Sequence, residues 1–251
     1  MPDQQVTDQK VAIVTGGARG IGAAITTALA RSGVHVAAGY SSNSRAAEEL
    51  AGKLTAEGAS VSVHQGNVGI PEDCQRVVDE VLEQRGRVDH LINNAGVTVD
   101  KTMRKMTIDD WHAVLRINLS GAFYMSKAVL EHMLGRGSGR IVNISSVIGQ
   151  TGNIGQVNYA ASKSGLFGMT QSMAREVARK GITVNCVAPG YIETVMVAAV
   201  PENVLEKIVA GIPVGRLGQA HEIARAVQFL VDDDAGYITG SVVSVNGGMD
   251  M

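Results

Sequence analysis

Short runs of apolar residues alternate along this chain with longer segments in which apolar residues recur every three or four positions. The short runs are rich in Val and Ile, whose branched side chains favour strands, and the longer segments favour amphipathic helices. The runs predicted to be strands are 11–14, 34–38, 61–64, 90–92, 140–144, 183–187 and 242–245. Because they are apolar throughout, they are typical of parallel strands covered on both faces of a sheet.

The segments between these strands are long enough to be helices. Besides one helix directly after the first strand, they are 45–57, 72–85, 109–134, 159–179 and 221–231. Crossovers of this length join parallel strands with a right-handed connection. The sequence therefore predicts an α/β fold, a doubly wound parallel sheet (Rossmann fold) of about seven strands with helices on both faces. Residues 1–251 are predicted to form one domain, with the irregular segment 193–213 as a lid over a site.

The composition narrows the class of protein. Of 251 residues, 45% are hydrophobic and 18% charged, and the net charge of −2 disfavours a nucleic-acid surface. No apolar stretch reaches the roughly 20 residues that a membrane span needs, and the first residues resemble no signal peptide, so we expect a soluble, cytoplasmic protein. Cys74 and Cys186 are isolated from each other and from any histidine at ligand spacing, which predicts reduced core thiols and no metal site.

A glycine-rich loop follows the first strand and opens the first helix. It reads T-G-G-A-R-G-I-G over 15–22, with the spacing G-x-x-x-G-x-G. Backbone N–H groups and the helix dipole at such a place bind a pyrophosphate, and glycine lets the phosphates approach the backbone. The residues predicted to bind a dinucleotide here are Gly16, Ala18, Arg19, Gly20, Ile21 and Gly22. The alternative is a purely structural turn.

The end of the second strand indicates which dinucleotide binds. An NAD site usually has an acidic residue there for the ribose hydroxyls, but residues 34–44 contain neither Asp nor Glu. Gly39, Ser41 and Arg45 stand there instead, and Arg19 lies in the phosphate loop. Hydroxyl and guanidinium groups suit a 2′-phosphate, so the sequence predicts NADP(H). The alternative, that the two arginines are ordinary solvated charges, has more weight for Arg45 than for Arg19.

Candidate catalytic side chains come from a helix start and a strand end. Tyr159 and Lys163 are four residues apart, so both project from one helix face. A neighbouring ammonium stabilises phenolate and lowers a tyrosine pKa, which suits Tyr159 to proton transfer. Ser145 and Ser146 follow the fifth strand, and on spacing alone either hydroxyl suits a substrate carbonyl. A solvent-facing Tyr/Lys pair is the alternative that chance produces.

Together these motifs resemble the short-chain dehydrogenase/reductase family over residues 10–249. The resemblance also includes N-N-A-G at 93–96, Asn118 in a long helix and P-G at 189–190. It implies that Ser146 orients the carbonyl, that Lys163 also binds the nicotinamide ribose, and that Asn118 holds a water linking Lys163 to solvent. It further implies that the cofactor is lined by Asn94, Ala95, Gly96, Pro189, Gly190 and Ile192.

Two positions depart from the family pattern. Asn67 replaces the acidic residue that many members have near the adenine, and an amide there can still form hydrogen bonds. Asn67 and Val68 are therefore kept as cofactor-binding residues. Val195 replaces an acidic residue common after Thr194, which affects the lid and not the chemistry.

Within the family, several segments look most like reductases of 3-oxoacyl thioesters. The favoured substrate is acetoacetyl-CoA, the alternative is an acyl-carrier-protein thioester, and the product is the (R)-3-hydroxyacyl thioester, as in polyhydroxybutyrate biosynthesis or fatty acid metabolism. By the same analogy Asp100, Gln156 and Tyr191 line the acyl pocket with Ser146 and Tyr159, although each is equally well explained as a polar group that stabilises a loop. The resemblance also implies a homotetramer, packed through 109–134 and 159–179 and through the C-terminal strand.

Two rival functions remain open. One is a reductase of the same fold that acts on a sugar, a steroid or another ketone or alcohol. The other is a non-catalytic protein that senses NADP, as a Rossmann domain can. A hydrolase and a nucleoside triphosphatase are disfavoured because neither G-x-S-x-G nor G-K-S/T occurs.

Overall fold

A computed structural model describes residues 8–194, 197 and 202–251. Their centre is a seven-stranded parallel sheet in the order β3-β2-β1-β4-β5-β6-β7. The strands are β1 (Val11–Val14), β2 (His35–Tyr40), β3 (Val61–Gln65), β4 (His90–Asn93), β5 (Gly139–Ile144), β6 (Ile182–Pro189) and β7 (Val242–Val245). The predicted fold class, a doubly wound parallel sheet, is confirmed.

The order of the strands reverses between β1 and β4. Val14 pairs with Ala38 of β2 on one side and with Ile92 of β4 on the other. Chain segments leave these two strands in opposite directions across the sheet, which opens a crevice at their carboxyl ends, where ligands bind in folds of this kind.

Helices cover both faces of the sheet. They are α1 (Gly20–Arg31), α2 (Ser44–Ala56), α3 (Pro71–Arg85), α4 (Ile108–Leu115), α5 (Gly121–Arg136), α6 (Val147–Thr151), α7 (Val157–Val177), α8 (Glu202–Ala210) and α9 (Ala220–Val231). Ile25 and Leu29 of α1 pack with Ile223 of α9 in one apolar core. Val78 of α3 and Met125 of α5 belong to the core on the other face. The described residues contain no helix with the length and hydropathy that a membrane crossing requires.

Apart from shifts of one or two residues at the ends of elements, the structure differs from the predicted elements in three places. The single helix expected over 109–134 is interrupted between α4 and α5 by a π-helical turn, Arg116–Ser120. The short helix α6 was not predicted; the Ser146 hydroxyl caps it by accepting from the Ile148 N–H at 3.1 Å. The segment 193–213, predicted to be irregular, contains α8. Val195 and its neighbour 196 lie outside the described residues.

Candidate active site

A cavity of about 610 Å³ occupies the crevice at the carboxyl ends of β1, β2, β4 and β5. It combines glycine-rich backbone at one side with the start of α7 at the other. Most residues predicted to bind a cofactor line it: Gly16, Ala18, Arg19, Gly20, Ile21, Gly22, Gly39, Ser41, Asn67, Val68, Asn94, Ala95, Gly96, Tyr159 and Lys163. The glycine-rich loop 15–22 and the pair Tyr159 and Lys163 are far apart in the chain, and both line this cavity.

The glycines of the phosphate loop satisfy distinct geometric needs. Gly16 and Gly20 have φ values of 61° and 53°, in the left-handed region that other residues avoid. A Cβ atom on Gly22 would lie 2.1 Å from the Gly16 carbonyl oxygen, so α1 can approach the loop only because this residue lacks a side chain. Gly20, Ile21 and Gly22, the first residues of α1, line the cavity, and the N–H groups of a first helical turn suit a pyrophosphate there.

Thr15 fixes this loop to the next strand. Its hydroxyl oxygen accepts from the backbone N–H groups of Asn94 and Ala95, both at 3.0 Å. In return the Asn94 amide donates to the carbonyl oxygens of Thr15 at 2.9 Å and Gly16 at 3.2 Å. Sequence reasoning quoted Thr15 within the motif without a role, because the partner of its hydroxyl is 79 residues away.

The helix α7 carries Tyr159 and Lys163 and is the catalytic helix. At the side opposite this helix, the cavity ends among polar residues of β2 and β3. Arg19 and Ser41 line it, but Arg45 does not. The Arg45 Nε atom instead donates to Glu49 Oε1 at 2.7 Å on the exposed side of α2. The side-chain Oδ1 atom of Asn67 accepts from the Gly69 N–H at 3.0 Å in a turn, and the side-chain NH₂ group supplies two donors for a ligand. Further wall residues not predicted from the sequence include Tyr40, Ser42, Asn43, His64, Asp73 and Thr194.

Tyr159 and Ser146 meet at the other end of the cavity. Burial raises the pKa of the Tyr159 phenol above its usual value, a hydrogen bond with Ser146 opposes that rise, and Asp100 and Tyr191 add to it. The pKa lowering expected from Lys163 is therefore not present in the protein alone. Burial is the largest cause of the raised pKa, and the Lys163 Nζ atom lies 5.7 Å from the centre of the Tyr159 ring.

The two serines left open by spacing have different partners. The Ser145 hydroxyl donates to the backbone carbonyl oxygen of Lys163 at 2.8 Å, which ties β5 to α7. Ser145 lies in the cavity wall, whereas Ser146 lies just beyond it, against Tyr159. The hydroxyl that faces the phenol is therefore that of Ser146.

Lys163 is buried with its ammonium group inside the protein. Its Nζ atom donates to the Ile144 carbonyl oxygen at 2.7 Å. Burial lowers its pKa from 10.5 to about 8. The ammonium form therefore prevails at neutral pH, and the neutral amine prevails only above about pH 8. A buried cation of this kind is characteristic of a functional site.

Asn118 lies in the π-helical turn, behind the catalytic helix. Its Oδ1 atom accepts from the Val97 N–H at 2.8 Å, and its Nδ2 atom donates to the Val97 carbonyl oxygen at 3.0 Å and to Ser162 Oγ at 3.1 Å. A Cβ added to Gly96 would lie 3.5 Å from both Asn118 Oδ1 and Lys163 Nζ. Asn118 and Lys163 are thus brought to the same small region beside Gly96.

The remaining predicted residues lie outside the main cavity wall. The Gln156 amide donates to both carboxylate oxygens of Asp100, at 3.1 and 3.2 Å, and accepts from Asn153 at 2.8 Å. Asp100 and Tyr191 are close enough to Tyr159 to affect its pKa. Gly190 and Ile192 line a separate cavity of about 110 Å³. Pro189, the last residue of β6, borders neither of these cavities.

Comparisons with known proteins agree with this geometry. The sequence model of the short chain dehydrogenase family matches residues 10–205. The chain is 50% identical to the acetoacetyl-CoA reductase of Shinella zoogloeoides, over 95% of this chain and 98% of that one. It is 48% identical to the acetoacetyl-CoA reductase of Cupriavidus necator over 97% and 99% of the two chains. It is 46% identical to the 3-oxoacyl-[acyl-carrier-protein] reductase FabG of Escherichia coli over 96% and 98%.

The protein therefore belongs to the short-chain dehydrogenase family, and the resemblance inferred from its motifs is confirmed. It is an oxidoreductase that uses a nicotinamide cofactor.

Proposed function

We propose that this protein reduces a 3-oxoacyl thioester to the (R)-3-hydroxyacyl thioester with NADPH, and that its substrate is acetoacetyl-CoA. The observation that carries the proposal is the 50% identity to acetoacetyl-CoA reductase over 95% of the chain. Reduction of an acyl-carrier-protein thioester is the second candidate, favoured by 46% identity to FabG. The two candidates share one reaction and differ in the carrier of the acyl group.

The proposed chemistry assigns one task to each catalytic side chain. The bound nicotinamide supplies the hydride that reaches C3 of the thioester. Tyr159 donates its proton to the carbonyl oxygen, and Ser146 donates a hydrogen bond to the same oxygen. The phenol carries its proton in the protein alone, as a proton donor must, although its raised pKa makes that proton harder to release until positive charge is near. Once the proton has left, the Lys163 ammonium together with the positive charge of an oxidised nicotinamide is proposed to stabilise the phenolate, and Asn118 to hold the water through which the proton is replaced.

Preference for NADPH over NADH is proposed to depend on Arg19 and Ser41. Both line the end of the cavity opposite Tyr159, and a guanidinium with a hydroxyl suits a phosphate. Arg45 is the weaker member of the predicted set, because its Nε atom is paired with Glu49.

The acyl pocket is proposed to lie beside Tyr159, bounded by Asp100, Gln156 and Tyr191. The bond between Gln156 and Asp100 gives these two residues a shaping role, since their polar atoms are already partnered. The segment 193–213, which includes α8, is proposed to close over the substrate as a lid. Closure of this kind excludes water from the reacting atoms.

A homotetramer is proposed from exposed aromatic side chains. Phe123, within the predicted interface segment 109–134, is 48% exposed, and Phe229 of α9 and Tyr237, which precedes β7, are 58% and 103% exposed. Exposed rings mark a subunit interface where they belong to one contiguous apolar patch, so the proposal requires each of these rings to be covered by another subunit. Light scattering at micromolar concentration is expected to give four times the chain mass, and a monomer would contradict the proposal.

The decisive assay follows NADPH oxidation with acetoacetyl-CoA, with an acetoacetyl-acyl-carrier protein, and with a simple ketone. We expect the thioesters to be reduced far more efficiently than the truncated ketone, because binding of the remote carrier contributes to the rate. Faster turnover of the carrier-protein thioester would favour the second candidate. Binding of NADPH without reduction of any 3-oxo compound would remove the reductase function and leave a sensor of NADP.

A further inference from the structure

A polar network fills the space between the edge strand β3 and helix α3, beneath the end of the cavity that Arg19 and Ser41 line. Its centre is Arg76 on α3. The Arg76 guanidinium donates to the Gln65 carbonyl oxygen at 2.7 Å, to Asp73 Oδ1 at 3.2 Å and to Glu80 Oε1 at 2.6 Å. Asp73 Oδ2 in turn accepts from the Asn67 N–H at 2.8 Å. One side chain thus joins three acceptors, the Gln65 carbonyl oxygen at the end of β3 and the carboxylates of Asp73 and Glu80 on α3.

This network is anchored inside the protein by a histidine. Glu80 Oε2 accepts from the Nδ1 atom of His64 at 3.0 Å, and the hydrogen bond holds the pKa of Glu80 below its usual value. A carboxylate only accepts, so Nδ1 bears the hydrogen, and in neutral His64 the Nε2 atom accepts from Ser62 Oγ at 2.9 Å. Ser62 then accepts from His35 Nε2 at 3.0 Å. Both histidines are buried, and His64 lines the cavity.

The loop 66–68 depends on this anchoring because β3 is the edge strand of the sheet. On its inner side the loop is attached to β2 through the Gly66 N–H, which donates to the Tyr40 carbonyl oxygen at 2.8 Å. On its other side the neighbour is α3, and a Cβ on Gly66 would lie only 2.9 Å from Val77 Cγ2. The loop therefore rests directly on α3, and Gly66, Asn67, Val68 and Asp73 together form this wall of the cavity.

We propose that Arg76 is a positioning residue for the adenosine half of the cofactor: it fixes the loop 66–68 on α3 without touching the ligand. The proposal rests on nicotinamide dinucleotide binding in the described cavity. A planar guanidinium with five donors joins three acceptors at fixed angles, which an ammonium group cannot do in the same geometry. Arg76 does not line the cavity wall, so its effect on the cofactor passes through Gln65 and Asp73.

The test measures cofactor binding to the Arg76→Met variant by calorimetry, with NADPH, NADH and adenosine 2′,5′-bisphosphate as titrants. We expect all three dissociation constants to rise by the same factor, roughly 5- to 15-fold, which is less than loss of a charge-assisted hydrogen bond to the ligand itself because Arg76 acts only through the loop. The KM for NADPH should rise in parallel, and kcat at saturating NADPH should stay unchanged. Arg76→Lys should restore part of the affinity.

The matched control is Arg31→Met. Arg31 forms a similarly exposed ion pair with Glu57, at 2.8 Å, and it does not line the cavity. Unchanged dissociation constants in Arg76→Met beside a lowered melting temperature would overturn the proposal, since the network would then be merely structural. A changed ratio of NADPH to NADH affinity would also overturn it, because Arg76 would then contact the 2′-phosphate. Failure of the unaltered protein to bind either dinucleotide would instead overturn the cofactor assignment on which the proposal rests.

Discussion

The two ends of the cavity are built in different ways. At the catalytic end, Ser146, Lys163 and Asn118 are buried, and each is hydrogen-bonded to backbone groups of neighbouring elements. The opposite end, which Arg19 and Ser41 line, is the proposed adenosine end. There Arg19 is exposed, and the loop 66–68 is attached to α3 through partly exposed ion pairs. Buried bonds to the backbone leave a side chain one position, whereas ion pairs that are partly open to water are individually weaker. The comparison predicts that substitutions at the first end change the rate and that those at the second change the choice and affinity of cofactor.

The largest effect is expected from Tyr159→Phe at the catalytic end. The change removes the phenolic proton and retains the ring, so kcat should fall about 10²- to 10⁴-fold. NADPH affinity should remain within about twofold, because Phe fills nearly the same space. Stopped-flow reduction assays and a separate NADPH titration measure the two quantities. Substantial remaining turnover would show that another group donates the proton.

The next effect is expected at the adenosine end. Arg19→Gln removes the charge proposed to bind the 2′-phosphate, and a charge-assisted hydrogen bond is worth about 1.5–3 kcal/mol. The ratio of kcat/KM for NADPH to that for NADH should therefore fall about 10- to 100-fold, with kcat itself nearly constant. Arg45→Gln is the matched control and should leave the ratio unchanged. If only Arg45→Gln lowers the ratio, Arg45 is the phosphate ligand.

A third test compares two buried asparagines with the same type of partner. Asn118 is bonded to a backbone N–H and a carbonyl of Val97, and Asn185 to the Ser241 N–H at 3.1 Å and the Ile238 carbonyl at 2.7 Å. Replacing either by Ala leaves buried groups without partners, which should lower the free energy of unfolding by about 1–3 kcal/mol. Only Asn118→Ala should also lower kcat. The free energy of unfolding of each variant is measured by urea denaturation. If Asn118→Ala and Asn185→Ala lower kcat equally, Asn118 has no role in the proton path.

The smallest effect concerns acid and His35, which begins β2 and is connected to His64 through Ser62. Burial lowers the pKa of His35 from 6.5 to about 4, with Arg85 and His64 adding to the shift. An opened state takes up the proton below pH 6.5, whereas the folded state remains neutral until about pH 4. Stability is therefore lost as the pH falls through this window, by about 2 kcal/mol at pH 5. Hydrogen exchange should show β2 and β3 opening more readily at pH 5 than at pH 7, and His35→Gln should reduce the difference.

The sequence predicted the sheet well and the contacts across it poorly. The first strand was bounded correctly, because a glycine-rich turn follows it directly. The second strand was predicted to end at Ala38, but it continues to Tyr40. Gly39 is a strand residue whose missing side chain lets β2 lie close to the end of β1, since a Cβ on it would lie 3.4 Å from the Val14 carbonyl oxygen. Spacing placed Tyr159 and Lys163 on one face. It had no means to show that Gln156 bonds Asp100, 56 residues earlier, or that Arg45 turns toward Glu49.

The π-helical turn at Arg116–Ser120 determines which neighbouring helices α4 and α5 pack against. Such a turn amounts to one extra residue in a helix, and each residue advances an α-helix by about 100°. The apolar faces of α4 and α5 are therefore out of phase, so α4 packs on α7 while α5 packs on α3. Deleting one residue from the turn would restore the phase of a plain helix and rotate one partner face away from its neighbour. The same turn that places Asn118 beside α7 therefore also sets the rotation of α5 relative to α4.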